Sequence, residues 1–246
     1  MRTQVYADEY RSPKALGGWV VVTTIATYVT LLPATALDAI GRQQFPQTWD
    51  DLDVEYVSDQ EALLATLMGF CWLLFLVVAI ASIVFYFRWM YRAIKNSHAL
   101  GVRGVAASPH GAWLWHLVPF ANLVMPFRVM KQIALAARED TGDIDHLSDP
   151  TPSRVAIWWA MVLLGGLCDG IASSMIDQNN AQAAMIFSAF SVVAGITSAV
   201  YLIGMVRDYS RMQDEKAEVV FARMEQQKAD EVNLPPNLGG GRYRGL

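Results

Sequence analysis

Asp169 is the one acid inside the apolar run Arg154–Ile176, about eight residues from its far end. An ionised aspartate at the centre of a membrane helix costs ~2.5–3.5 kcal/mol on insertion scales, so it must face protein or water, or stay protonated. Two chemistries fit: a proton or cation site, or a buried acid hydrogen-bonded to Ser or Thr of the following helix. His116 titrates near neutral pH when wet. In a proline-broken segment it is expected instead to bond a backbone carbonyl that Pro119 has freed. Asn122, between Pro119 and Pro126, is expected to cap or bridge the same broken backbone. Arg88 and Arg92 stand one helical turn apart, a spacing suited to anionic lipid headgroups. The plainer expectation is that both anchor a helix end, with apolar stems along the helix and charged heads in water.

Nothing else in the chain has the spacing of a catalytic or metal centre. There is no HExxH, G-x-S-x-G, P-loop or paired-cysteine motif. His98, His110, His116 and His146 are scattered, and Cys71 and Cys168 both lie in apolar runs, with neither disulfide nor metal-ligand spacing. No cofactor is expected. The C-terminal charges alternate in sign instead of forming a basic stripe, so nucleic acid is not an expected partner.

The elements that must hold these residues are membrane elements. Of 246 residues 54% are hydrophobic and only 17% charged, with a mean hydropathy of +0.26. These values predict an all-α integral membrane protein with polar ends. Residues 1–15 read as a polar arm. Spans are predicted at about 16–37, 62–87, 154–176 and 181–206, each near the ~20 residues that a bilayer requires. Ala34-Thr35-Ala36 resembles a small-residue cleavage site. The long apolar region and the acids in the preceding arm favour an uncleaved anchor. The second span runs on into RWMYRAIKNSHAL, with Trp89 and Tyr91 expected at the headgroup belt and Gly101 and Gly104 ending the helix. Ser153 is the expected N-cap of the third span. The fourth continues into a charged helix over 207–232, a candidate partner site in which Val206, Tyr209, Val220 and Met224 form a weak seam. Residues 233–246 read as a flexible tail, and 38–61 as an acidic loop.

The remaining apolar stretch, about residues 110–130, is the unusual one. As a straight helix, Gly111–Phe127 would rise about 25 Å, short of the ~30 Å hydrocarbon core. Pro119 and Pro126 each remove a backbone donor, and interrupted backbone at membrane depth survives only inside protein or beside a wet cavity. The stretch is therefore read as a re-entrant or interfacial segment, with Val129–Arg138 as its amphipathic exit. Charge supports four spans over five. Three Lys or Arg precede the first span and one lies in the acidic loop. Eight fall between spans two and three, none in the Asp177–Asn180 turn and seven in the tail. Four spans with both termini cytoplasmic leave only Arg42 outside, as the positive-inside rule asks.

The run Arg88 to Met130 resembles an uncharacterised bacterial membrane-protein family, domain of unknown function 4328. The matching features are W-M-Y-R-A-I-K-N (Trp89–Asn96), Leu100-Gly101, Ser108-Pro109, Trp113 with Trp115, V-P-F-A-N-L (Val118–Leu123), Pro126 and Met130. Leu114 and His116 depart from the aromatic character expected there. The resemblance covers roughly residues 15–210 and brings no established activity, substrate or cofactor.

The function expected from the sequence is a non-enzymatic scaffold or interaction protein of the bacterial inner membrane, with the bilayer and a cytoplasmic protein as partners. The alternative is a small transporter in which the broken segment and Asp169 line a pathway, and a membrane enzyme stands third. A polar cavity joining Asp169, His116 and Asn122 would favour transport.

Overall fold

The computed structural model describes residues 7–45, 58–138, 143–145, 147–178 and 180–233. Among these the chain is helical, with no strand beyond an isolated bridge between Arg103 and Asp143. The 3-10 turn Ala7–Glu9 leads into α1 (Lys14–Gln44), followed by α2 (Asp59–Ala99). The central stretch holds the single turn α3 (Gly111–Leu114), two 3-10 turns and α4 (Met125–Ala136). Two long helices follow, α5 (Ser153–Asp177) and α6 (Ala181–Asn233). Four of these, α1, α2, α5 and α6, are long and apolar enough to cross a membrane.

Local chemistry explains the boundaries. Ser58 caps α2 by accepting from the Glu61 amide at 3.3 Å, the pairing that an S-x-x-E sequence favours. Ser153 does not cap α5: it is the first helical residue, and Pro152 before it offers no side-chain acceptor. In α1 the hydroxyls of Thr23, Thr27 and Thr30 bond carbonyls one turn back at 2.7–2.9 Å. Their polarity is thereby used up inside the helix, which lets α1 sit in an apolar medium. It also runs further than the expected span, and within it Arg42 pairs with Asp38 at 3.1 Å. The rest of the acidic loop, 46–57, lies outside the described residues, as do His146 and the tail beyond 233.

The long helices stand in the order α2, α1, α6, α5, each packed on the next. Close approach of α1 and α6 depends on Gly17, where a Cβ would meet Ser210 Oγ at 3.0 Å and Val206 Cγ1 at 3.2 Å. The packing is uneven along the helices. In the most apolar stretch of α2 no residue is buried, and in that of α6 about a tenth. The continuous core lies instead at one end, where Val20, Trp89, Met90, Ile94, Met130, Ile133, Met205 and Val206 are buried together. Trp89 is therefore core and not a belt residue. The apolar run around it continues into a bundle where α1, α4 and α6 cover it, and a tryptophan buried there can bond its indole N–H internally.

The central stretch begins and ends in that same core. Ala112 from α3 and Val129 and Met130 from α4 all pack there. The Ala107 amide donates to Gln132 Oε1 at 2.9 Å, tying one flank to the other. Between them the chain makes a loop whose tip carries Leu117, Phe120 and Leu123, all exposed, with Phe120 at φ 63°. A bulky residue in that region stores on the order of 1–3 kcal/mol of strain. α4 is not an amphipathic exit. Val129 through Ala137 are all buried, so it is an inner helix of the polar end.

Candidate functional site

The polar end holds most of the long-range side-chain hydrogen bonds, and its parts come from four separated stretches of sequence. Asp214 on α6 accepts from Tyr10 Oη, from Ser12 Oγ at 2.9 Å and from Lys14 Nζ at 2.9 Å. Asn96 on α2 donates to the Arg11 carbonyl at 2.9 Å and to Gln213 Oε1 at 3.3 Å. Gln213 in turn donates to the Ala93 carbonyl at 2.9 Å. Trp89 Nε1 donates to Ser210 Oγ at 2.9 Å. Lys216, with 4% of its surface exposed, donates from Nζ to the Ala136 and Arg138 carbonyls, both at 2.9 Å. That ammonium sits on the carbonyl end of α4, where a helix favours positive charge. The N-terminal arm is thus strapped across α2 and α6, and Lys95 adds an ion pair to Glu9 at 3.4 Å.

The electrostatics follow from this strap. Burial alone raises the Asp214 carboxyl, but the bonds from Tyr10, Lys14 and Ser12 outweigh it and hold the group below its ordinary 3.8. Tyr10 is pushed far upward by burial and by its bond to Asp214. A carboxylate lowered in the folded state stabilises above its unfolded pKa and loses that contribution as pH falls through the folded one. The expected outcome is a fall in melting temperature below about pH 3.8 that is blunted in Asp214→Asn, read by thermal unfolding of detergent-solubilised protein.

The residues singled out from sequence do not converge. Asp169 is exposed on α5 and makes no hydrogen bond among the described residues, neither to α6 nor elsewhere. Trp159 Nε1 donates to the Leu123 carbonyl at 3.0 Å, so the tip of the central loop touches α5 there. Asp169 lies ten residues further on, about 15 Å along the helix axis. No hydrogen bond of ordinary geometry links His116 to a carbonyl freed by Pro119: its ring nitrogens are buried, and the backbone that acts on the ring is that of Trp113. Its ring packs edge-on to Tyr86 at 5.7 Å and tilted against Phe87 at 5.0 Å, and the Tyr86 hydroxyl is unpartnered.

Asn122 is exposed, and it is its backbone N–H, not its side chain, that bonds the Val118 carbonyl at 2.9 Å. Pro119 breaks the helix, and its own carbonyl is satisfied by the Ala121 amide at 2.7 Å. Pro126 does not interrupt anything: it occupies the first turn of α4, where its missing N–H costs nothing. Arg88 is exposed, whereas Arg92 donates to the Glu9 carbonyl at 3.3 Å and belongs to the strap.

Sequence reasoning passed over Asp214, Asn96, Gln213, Lys216 and Trp159. The only signal available for the first four was a run of hydrogen-bonding residues at three- and four-residue spacing in helices that had outlasted their apolar stretches.

A family model, Domain of unknown function (DUF4328), matches residues 54–211, from just before α2 to the middle of α6. No curated protein and no solved structure matches the chain.

Proposed function

This chain belongs to the DUF4328 family, and from that premise we propose that it is a non-enzymatic scaffold of the bacterial inner membrane. In this reading four helices cross the bilayer, both termini are cytoplasmic, and the central stretch enters the membrane from the cytoplasmic side and returns. The charge distribution supports the orientation. The shared core of the two flanks supports re-entry, since a crossing segment would separate them by about 25 Å.

One observation carries the scaffold reading. α6 leaves the polar bundle as an unbroken helix, and from Arg223 to Asp230 every residue but Met224 is exposed. A helix held rigidly at its base and free beyond it is suited to presenting a partner site. Photo-crosslinking residues placed at Arg223 and Glu225 in living cells are expected to give a discrete protein adduct, and one at lipid-facing Val77 none. Absence of any adduct at both tail positions would overturn the proposal.

Transport stays the second reading because Asp169 is an acid without a partner on an apolar helix. Against it, Asp169 stands about 15 Å along α5 from the point where the tip of the central loop, which carries Asn122, touches that helix. Reconstituted vesicles are expected to show no proton or cation flux above empty ones. Flux that disappears in Asp169→Asn would move the function to transport.

A further inference from the structure

A second feature of the polar end lies beside the strap. Where α4 ends and α5 begins, a cleft of about 360 Å³ opens between Arg138, Ser153, Arg154 and Tyr209, with Ala134 and Met212 as apolar wall. Arg138 is exposed and has no ion pair among the described residues. Arg154 is paired through Nη1 with Asp208, a carboxylate at the edge of the cleft, which leaves the other guanidinium donors available. The amides of Val155 and Ala156 both turn back to the Pro152 carbonyl, at 2.9 and 3.3 Å. Those of Ser153 and Arg154 have no acceptor among the described residues.

We infer that this cleft binds a phosphate-bearing anion, with Arg138 and Arg154 as its principal ligands. Two guanidiniums present planar forks that match phosphate oxygens, and the leading amides of α5 add donors of the same polarity. Burial pushes the Tyr209 phenol up to about 12, with Arg154 and Arg138 both pulling it back and Asp208 pushing the same way as burial. Both arginines and the phenol line the one cleft, and the phenol remains a hydrogen-bond donor at every physiological pH. Two sources of phosphate fit the chemistry. The cleft lies at the first turn of α5 and just past the apolar part of α6, which on the membrane reading above is headgroup depth. A soluble phosphate would reach the same donors from the water side.

The experiment uses the full chain in nanodiscs of phosphatidylcholine, or of an equimolar mixture with phosphatidylglycerol. Melting temperature and retained lipid, by native mass spectrometry, are the readouts, and inorganic phosphate is titrated into the phosphatidylcholine discs as a separate arm. The expected result is a rise in melting temperature with phosphatidylglycerol and one retained phosphatidylglycerol, both lost in Arg138→Gln and unchanged in Lys228→Gln, which removes an exposed cation far along α6. The same Arg138-dependent rise with inorganic phosphate alone supports the site and assigns it to soluble phosphate. Arg154→Lys keeps the charge but loses the fork, and is expected to lose at least half of the rise. The inference falls if neither probe raises the melting temperature, or if the rise survives both Arg138→Gln and Arg154→Lys. Because crosslinking at the tail is not read out here, the site and the scaffold role can fail separately.

Discussion

Trp89→Ala is expected to destabilise the protein by about 3–5 kcal/mol, the usual cost of truncating a fully buried large aromatic. Trp89 has none of its surface exposed, and it touches the contributions of α1, α4 and α6 to one core. Its indole also donates to Ser210, which is itself buried, so the truncation removes a hydrogen bond together with volume. The two losses can be separated. Trp89→Phe keeps much of the volume and leaves Ser210 without its donor, at a cost of about 1–3 kcal/mol for the unsatisfied group. Adding Ser210→Ala to Trp89→Phe should then restore part of the loss, because both partners are gone. Unfolding of detergent-solubilised variants checks this, and a Trp89→Phe protein as stable as the parent would show that the bond contributes nothing.

The second large effect is expected at Lys216. Replacement by methionine keeps the stem and removes the ammonium that bonds the Ala136 and Arg138 carbonyls. Bonds to a charged donor are worth about 1.5–3 kcal/mol each, so the loss is on the order of 3 kcal/mol or more. Lys216→Arg is not a rescue, because a planar fork cannot replace three rotatable donors in a pocket closed around one amine. The loss should be local as well as global. Hydrogen exchange is expected to rise first in α4, whose carbonyl end loses its cap, and in the chain just after it. Uniform exchange across all helices would contradict that account.

The four long helices were legible because an apolar helix of bilayer length is written one residue after another. Lipid leaves its backbone no other partner. The continuation of α2 and α6 beyond their apolar parts was legible for a related reason: neither Pro nor Gly interrupts RWMYRAIKN or the charged run after Val206. The polar bundle was not. Tyr10, Asn96 and Asp214 are each ordinary surface residues in sequence, and only the fold brings residues some two hundred positions apart within hydrogen-bonding distance. Trp89 misled because its neighbours are those of a headgroup-belt residue, while burial depends on α1 and α6 arriving on both sides. The broken segment was recognised by its prolines, yet one of the two prolines proved to start a helix. Proline marks a boundary without saying which side of it is helical. Asp169 was visible as an anomaly in sequence and remains one in the structure.

The continuity of α6 has a mechanical consequence. Its 53 residues make a rod of about 80 Å. No proline lies anywhere along it to act as a joint. A load applied at the far end is therefore not absorbed on the way. It passes to the strap of Tyr10, Ser12 and Lys14 on Asp214, and through that strap to the N-terminal arm. The tail, the arm and the apolar part of α6 are thereby one mechanical unit.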